Sequence, residues 1–219
     1  MRKGAAVELL RMQLYAAAMA DKPSTPRTPV DLFRSPLLLD RRQSCLLVID
    51  VQEKLLPLID RAAVVQWNIS RLLKGAGVLK VRVAATEQYP AGLGATVAPL
   101  REYFAEISEK RMFSGRECHE LFADLLDRSL RQIVVAGIET HVCVLQTALD
   151  LVSAGFDVFA PADAVGSRTP LDHETALARM AQSGVTVTTT ESVLFEWCET
   201  SAAAEFKQIS QLVRRTSPE

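Results

Sequence analysis

From Ser44 onward the chain alternates between two kinds of hydrophobic pattern. Cys45–Asp50 (CLLVID) is a short apolar run ending in an acid, the pattern of a strand buried on both faces. Arg61–Gly77 switches to helical spacing, with Val64, Trp67, Ile69, Leu72, Leu73 and Ala76 falling mostly on one stripe. The same alternation predicts strands at Val81–Thr86, Glu106–Lys110, Arg131–Ile138, Phe156–Pro161 and Val185–Thr190. Helices are predicted at Cys118–Arg128, His141–Ala154 and His173–Ser183, with helical pieces at Phe195–Trp197 and Ala202–Val213. Strands separated by helices of about 10–15 residues build βαβ units. With right-handed crossovers, these give an α/β fold: a three-layer α/β/α sandwich around a mostly parallel, doubly wound sheet of about six strands.

The first 42 residues do not share this pattern. Met1–Arg42 carries eight Lys/Arg against four Asp/Glu, so it is +4 while the remainder is −5. MRKGAAVELLRMQLYAAAMA reads as a short amphipathic helix, and DKPSTPRTPVD as a Pro/Ser/Thr linker. We therefore expect an extension over 1–42 and one domain over 43–219. A basic, acid-poor start ending in Ala-Met-Ala reads as a targeting peptide; the other reading is an upstream start or a docking extension. The expected location is the cytoplasm, or an organelle if the segment is a targeting peptide.

Composition removes several function classes. The net charge is −1 over 219 residues, so no extended basic surface is implied and nucleic acid is not an expected partner. The longest uncharged stretch, Gln88–Leu100, is 13 residues with two prolines and two glycines, too short and broken to span a bilayer, so no membrane partner is expected. The four cysteines (Cys45, Cys118, Cys143, Cys198) form no C-x-x-C pair and read as free thiols, mostly buried. No His, Cys or carboxylate spacing matches a zinc or non-haem iron motif, and neither GAG nor GLG leads a strand into a helix as a phosphate loop would. Neither a metal nor another cofactor is expected.

In open parallel sheets the ligand site lies beyond the carboxyl ends of the strands. That rule selects Asp50, Thr86–Gln88, Lys110 and Glu139–Cys143. Cys143 is expected two or three residues into the helix after the clearest strand, where the helix dipole lowers a thiol's pKa and free backbone N–H groups can hold an oxyanion. A carboxylate, an ammonium and a thiol on three strand ends can meet at one pocket, as nucleophilic catalysis requires. Taken singly, each has a plainer reading: a capping Asp, a solvated Lys, a Cys packed on the sheet. The histidines, His119, His141 and His173, read as surface or packing residues without partners.

The ordered set LLVIDVQEKLLPLI, VAATEQYPAGLGAT, EKRMFS and VVAGIETHVCVLQTALDL resembles the isochorismatase-like family of cysteine hydrolases over about Ser44–Trp197. It is most similar to the isochorismatase domain-containing members. The resemblance implies a catalytic triad of Asp50, Lys110 and Cys143, an oxyanion hole from the backbone of Glu139 and Cys143, and a non-proline cis peptide at Ile138–Glu139. It also implies oligomers, a homo-oligomer being supported weakly by the apolar Ala202–Val213 segment. Nicotinamidases of the family bind a metal through histidines between the Asp and the Lys. Here no His lies between Asp50 and Lys110, so that activity is disfavoured. Cys143 argues against vinyl-ether hydrolysis, which needs no thiol. The expectation is a metal-independent hydrolase acting on a small-molecule amide, or an ester, through an acyl-cysteine. Gln52, Thr86, Gln88, Tyr89 and Phe113 are the expected pocket lining. The alternative is a binding or assembly protein without turnover.

Overall fold

The computed structural model describes residues 33–216 and residue 218. The amphipathic start, the targeting signal and the linker expected within residues 1–32 lie outside the described residues. Every feature below lies within the compact unit Pro36–Glu219.

Seven strands form one parallel sheet: β1 (Ser44–Ile49), β2 (Arg82–Gln88), β3 (Ser108–Lys110), β4 (Gln132–Ile138), β5 (Asp157–Pro161), β6 (Val165–Gly166) and β7 (Thr186–Thr188). Their order is β3-β2-β1-β4-β5-β7, with β6 pairing the carboxyl end of β4. The order reverses at β1, the doubly wound arrangement. The strand beyond the expected six is β6, only two residues long and therefore without a readable period.

Among the described residues, six helices of eight residues or more flank the sheet: α1 (Ala62–Leu79), α2 (His119–Asp127), α3 (Leu145–Ser153), α4 (Pro170–Gln182), α5 (Thr190–Cys198) and α6 (Phe206–Val213). β1 shows why its sequence is continuously apolar. Leu46 and Val48 pack with Ile69, Leu72 and Leu73 of α1, Leu194 and Trp197 of α5 and Ile209 of α6. Cys45, Leu47 and Ile49 point the other way, into a second cluster with Leu125 of α2, Ala148 and Leu151 of α3 and Met180 of α4. Both faces are covered, so no polar alternation survives.

Local chemistry sets the element ends. The expected strand Val185–Thr190 stops at Thr188 because the Thr189 hydroxyl caps α5, accepting from the Ser192 N–H at 3.3 Å. Thr169 does the same for α4, accepting from the Asp172 N–H at 3.2 Å, so that helix starts at Pro170 rather than near His173. Residues upstream of 43 also pack against the sheet. Leu39 is fully buried in the first cluster, and Gln132 of β4 accepts from the Asp40 N–H at 2.7 Å while donating to the Leu38 carbonyl at 3.1 Å. Among the described residues, no helix is long and apolar enough to cross a membrane.

The carboxyl edge of the central strands is shaped by one glycine. Gly137 has φ +123°, and a Cβ there would overlap the backbone of Ile49 in β1. Only glycine allows β4 to approach β1 so closely at this point. The next peptide, Ile138–Glu139, is cis and leads into the segment that carries Cys143.

Candidate active site

Asp50 is the first residue beyond β1 and has a left-handed backbone, φ +53°, a conformation that Asp tolerates better than most residues. Its N–H donates to the Thr86 carbonyl at 3.1 Å, which fixes the turn against β2. The carboxylate is fully buried: Thr86 Oγ1 donates to Oδ1 at 2.8 Å, and Lys110 Nζ donates to Oδ2 at 2.6 Å. Lys110 ends β3 and reaches across β2 to make this pair, with both side chains at 0% exposure. A buried ion pair persists only when its remaining hydrogen-bonding capacity is met. Here the ammonium also faces Gln88 Oε1 at 2.8 Å and the carbonyls of Phe113 and Met112 at 3.1 and 3.3 Å. That makes four acceptors for three protons.

Cys143 lies within a π-helical turn, Thr140–Val144, and α3 follows directly. The turn is wide because the Glu139 carbonyl accepts from both the Val142 and Val144 N–H groups, at 3.1 and 3.2 Å. Such turns concentrate at functional sites. The thiol is 6% exposed and faces Asp50 and Lys110. Its pKa is pushed up to about 12, chiefly by burial, with the Asp50 charge adding and the Lys110 charge opposing. This overturns the expectation of a dipole-lowered pKa. Desolvation and a neighbouring carboxylate both oppose ionisation here, so the sulfur carries its proton at neutral pH.

The same burial predicts a pH dependence of stability. Cys45, under the sheet, is also raised to about 12 by burial. In the unfolded chain both thiols titrate near the ordinary value, so above about pH 9 the unfolded state loses protons that the folded state keeps. Stability should therefore fall on the alkaline side, by up to about 1.4 kcal/mol per pH unit for each thiol. Urea midpoints measured from pH 8 to pH 10.5 check this, and the Cys45→Ala/Cys143→Ala double variant should show a shallower slope.

The five residues expected to line the pocket divide into two groups. Thr86 orients the Asp50 carboxylate. Gln52, fully buried, bridges two loops: it accepts from the Gln88 N–H at 2.8 Å and donates to the carbonyls of Gln88 and Gly94 at 3.0 and 2.6 Å. Gln88 holds Lys110 through Oε1 and donates to the Arg111 carbonyl at 2.8 Å. These three side chains are occupied in building the site. Tyr89 and Phe113 are 42% and 55% exposed at its rim. Phe113 and Met112 line a cleft of about 470 Å³ together with Gln146 and Leu149 of α3.

Two of the three histidines differ from expectation, while His119 is exposed as expected. His141 Nδ1 lies 3.0 Å from Ser167 Oγ, and His173 Nδ1 lies 3.0 Å from Thr140 Oγ1, so both tie the Cys143 turn to the segment around α4. Burial pushes His173 below its ordinary pKa. No sequence spacing signals these contacts, which come from packing α4 onto the turn. The Glu139 carboxylate turns outward to Arg168 Nε at 2.9 Å. Among the described residues, no group of three His, Cys, Asp or Glu could hold a metal ion. All four cysteines are free and buried.

A parallel α/β/α sandwich that buries a carboxylate, an ammonium and a thiol at its carboxyl edge defines an isochorismatase-like fold. The family model described as the isochorismatase domain matches residues 44–192, and the chain belongs to that family. Isochorismatase domain-containing protein 1 of Danio rerio is 38% identical over 171 residues, 78% of this chain and 60% of the relative, so the chain spans less than two thirds of that protein. Isochorismatase domain-containing protein 2 of Danio rerio is 36% identical over 187 residues, 83% of this chain and 92% of the relative. Among solved structures, MAR1 ribonuclease from Caenorhabditis elegans is similar with a TM-score of 0.78 and 35% identity, covering 83% of this chain and 95% of that one.

Proposed function

We propose that the protein is a metal-independent cysteine hydrolase that cleaves a small-molecule amide, or an ester, through an acyl-Cys143 intermediate. The observation that carries this reading is the fully buried Asp50 carboxylate, clamped by Lys110 and Thr86 and facing the Cys143 thiol. As Sγ attacks the substrate carbonyl, the thiol proton passes to Asp50. The tetrahedral oxyanion is held by the backbone N–H groups of Glu139 and Cys143, each worth about 2.7–4 kcal/mol in comparable sites. Asp50 then protonates the leaving amine or alcohol, and the thioester forms. Water enters, Asp50 takes its proton, and hydrolysis releases the acid and restores the thiol. Lys110 holds the carboxylate in place and balances its charge throughout. A homo-oligomeric assembly belongs to the same proposal.

The likeness to a protein described as a ribonuclease sets a second reading, RNA cleavage. Charge speaks against it, because residues 43–219 carry 17 Lys/Arg against 22 Asp/Glu and offer no net phosphate-neutralising surface. One experiment covers both readings. The protein is incubated with a panel of small amides and esters and, in parallel, RNA oligonucleotides, and intact and peptide masses are read after acid quench. An acyl mass on Cys143 with release of the amine or alcohol is the expected result. RNA cleavage without an adduct would replace the first reading with the second, and no turnover in either arm would favour a binding or assembly role.

A further inference from the structure

We propose that Arg111 is the specificity-determining cation of this site, selecting carbonyl substrates that bear a carboxylate. The proposal rests on the reading of Cys143 as nucleophile and adds the class of substrate it meets. Lys110 is enclosed by four acceptors, and the side chains of Gln52, Thr86 and Gln88 are occupied in holding the site together. The Lys110 protons and both Gln52 amide protons are taken up, so apart from one Gln88 amide proton these groups offer a substrate no donor, and no free cation. Arg111, the next residue after Lys110, is exposed, and among the described residues its guanidinium makes no ion pair or hydrogen bond. A planar cation with its N–H donors unfilled matches a carboxylate in bidentate geometry.

The Arg111 cation is also held in place. Its guanidinium stacks over the Tyr89 ring at 3.9 Å from the centroid. The ring in turn packs against Gly92, where a Cβ would overlap it, and Lys54 Nζ donates to the Gly92 carbonyl at 2.7 Å. The main chain is fixed on both sides: the Arg111 N–H donates to Glu117 Oε2 at 2.7 Å, and its carbonyl accepts from Gln88, the residue that also holds Lys110. Glu117 is the acid beside this segment. Its Oε2 accepts from the Met112 N–H as well, at 2.7 Å, so its hydrogen bonds serve the backbone, and its charge acts on the Arg111 guanidinium without an ion pair forming. Tyr89 is the first residue after β2 and Arg111 the first after β3, so the stack stands at the carboxyl edge of the sheet, where Lys110 ends its strand.

Two alkylating reagents of the same size test the assignment, because iodoacetate carries a carboxylate where iodoacetamide carries a neutral amide. Rate constants for labelling of Cys143, mapped by peptide mass, are measured with each reagent for the full-length protein and for Arg111→Gln and Arg111→Lys. The expected result is a ratio of iodoacetate to iodoacetamide rates that falls about tenfold in Arg111→Gln and recovers in part in Arg111→Lys. In the unsubstituted protein the ratio should also fall as salt rises from 0.05 to 0.5 M, because the guanidinium is exposed. If Cys143 is labelled but the ratio is the same in all three proteins, Arg111 is a structural stack and the assignment is wrong. If neither reagent labels Cys143 in the folded protein, the nucleophile reading falls first and takes this one with it.

Discussion

Cys143→Ala should abolish turnover, by at least about three orders of magnitude, and leave no acyl adduct on the chain. The magnitude follows from the covalent step: without the sulfur only water held by the oxyanion donors remains, and members of such a unit act in a strongly non-additive way. The fold should survive, because the substitution removes one atom from a 6% exposed position, a change worth about 1 kcal/mol. Urea unfolding at pH 7.5 beside the activity assay separates the two effects. An alanine variant that kept a tenth of the activity would show that the sulfur is a packing group and Asp50 the centre of another reaction.

The second large effect is expected at Asp50. Asp50→Asn removes the proton acceptor, and with a thiol whose pKa is pushed up to about 12 nothing else at the centre draws the proton off at neutral pH. Turnover should fall about as far as in the cysteine variant. This substitution also leaves Lys110 as an uncompensated buried cation, so stability should drop by about 3–5 kcal/mol. Asp50→Asn/Lys110→Met settles which consequence is which. Removing both charges should return part of the stability and none of the activity. If the double variant regained turnover, or if Asp50→Asn lost less than tenfold while folded, the proton route through Asp50 would be wrong.

How far the sequence reads ahead depends on the kind of residue. Asp50, Lys110 and Cys143 were legible as strand-end residues because parallel strands leave strong apolar runs, and the rule placing ligands beyond their carboxyl ends needs nothing more. The structure brings the three together. β6 was not legible, since two residues carry no period, and the π turn was not, because five residues do not distinguish a wide helical turn from an ordinary one. Burial sets the direction of the Cys143 pKa and is invisible in a single sequence, whereas the position at a helix start, which points the other way, is plain. Gln52 and Gln88 were recognisable as polar residues at the right edge. That their amides are occupied in bridging loops emerges only from distances. Arg111 follows Lys110 directly in EKRMFS, and a second cation after a strand-end lysine is the sequence feature on which its proposed role rests.

The π turn at Thr140–Val144 has an evolutionary consequence. Just beyond it, Leu145, Ala148 and Leu151 form the buried face of α3. Deleting one codon within the turn would let it close as ordinary α-helix, with those three residues still in phase with the core. The sulfur would meanwhile rotate by roughly 100°, the advance per residue of such a helix, away from the Asp50 carboxylate. Chemistry and foldability in this strand–helix unit are therefore inherited separately: one lineage could retire its reactivity by a single-residue deletion and keep a stable scaffold, and another could regain it by the reverse insertion.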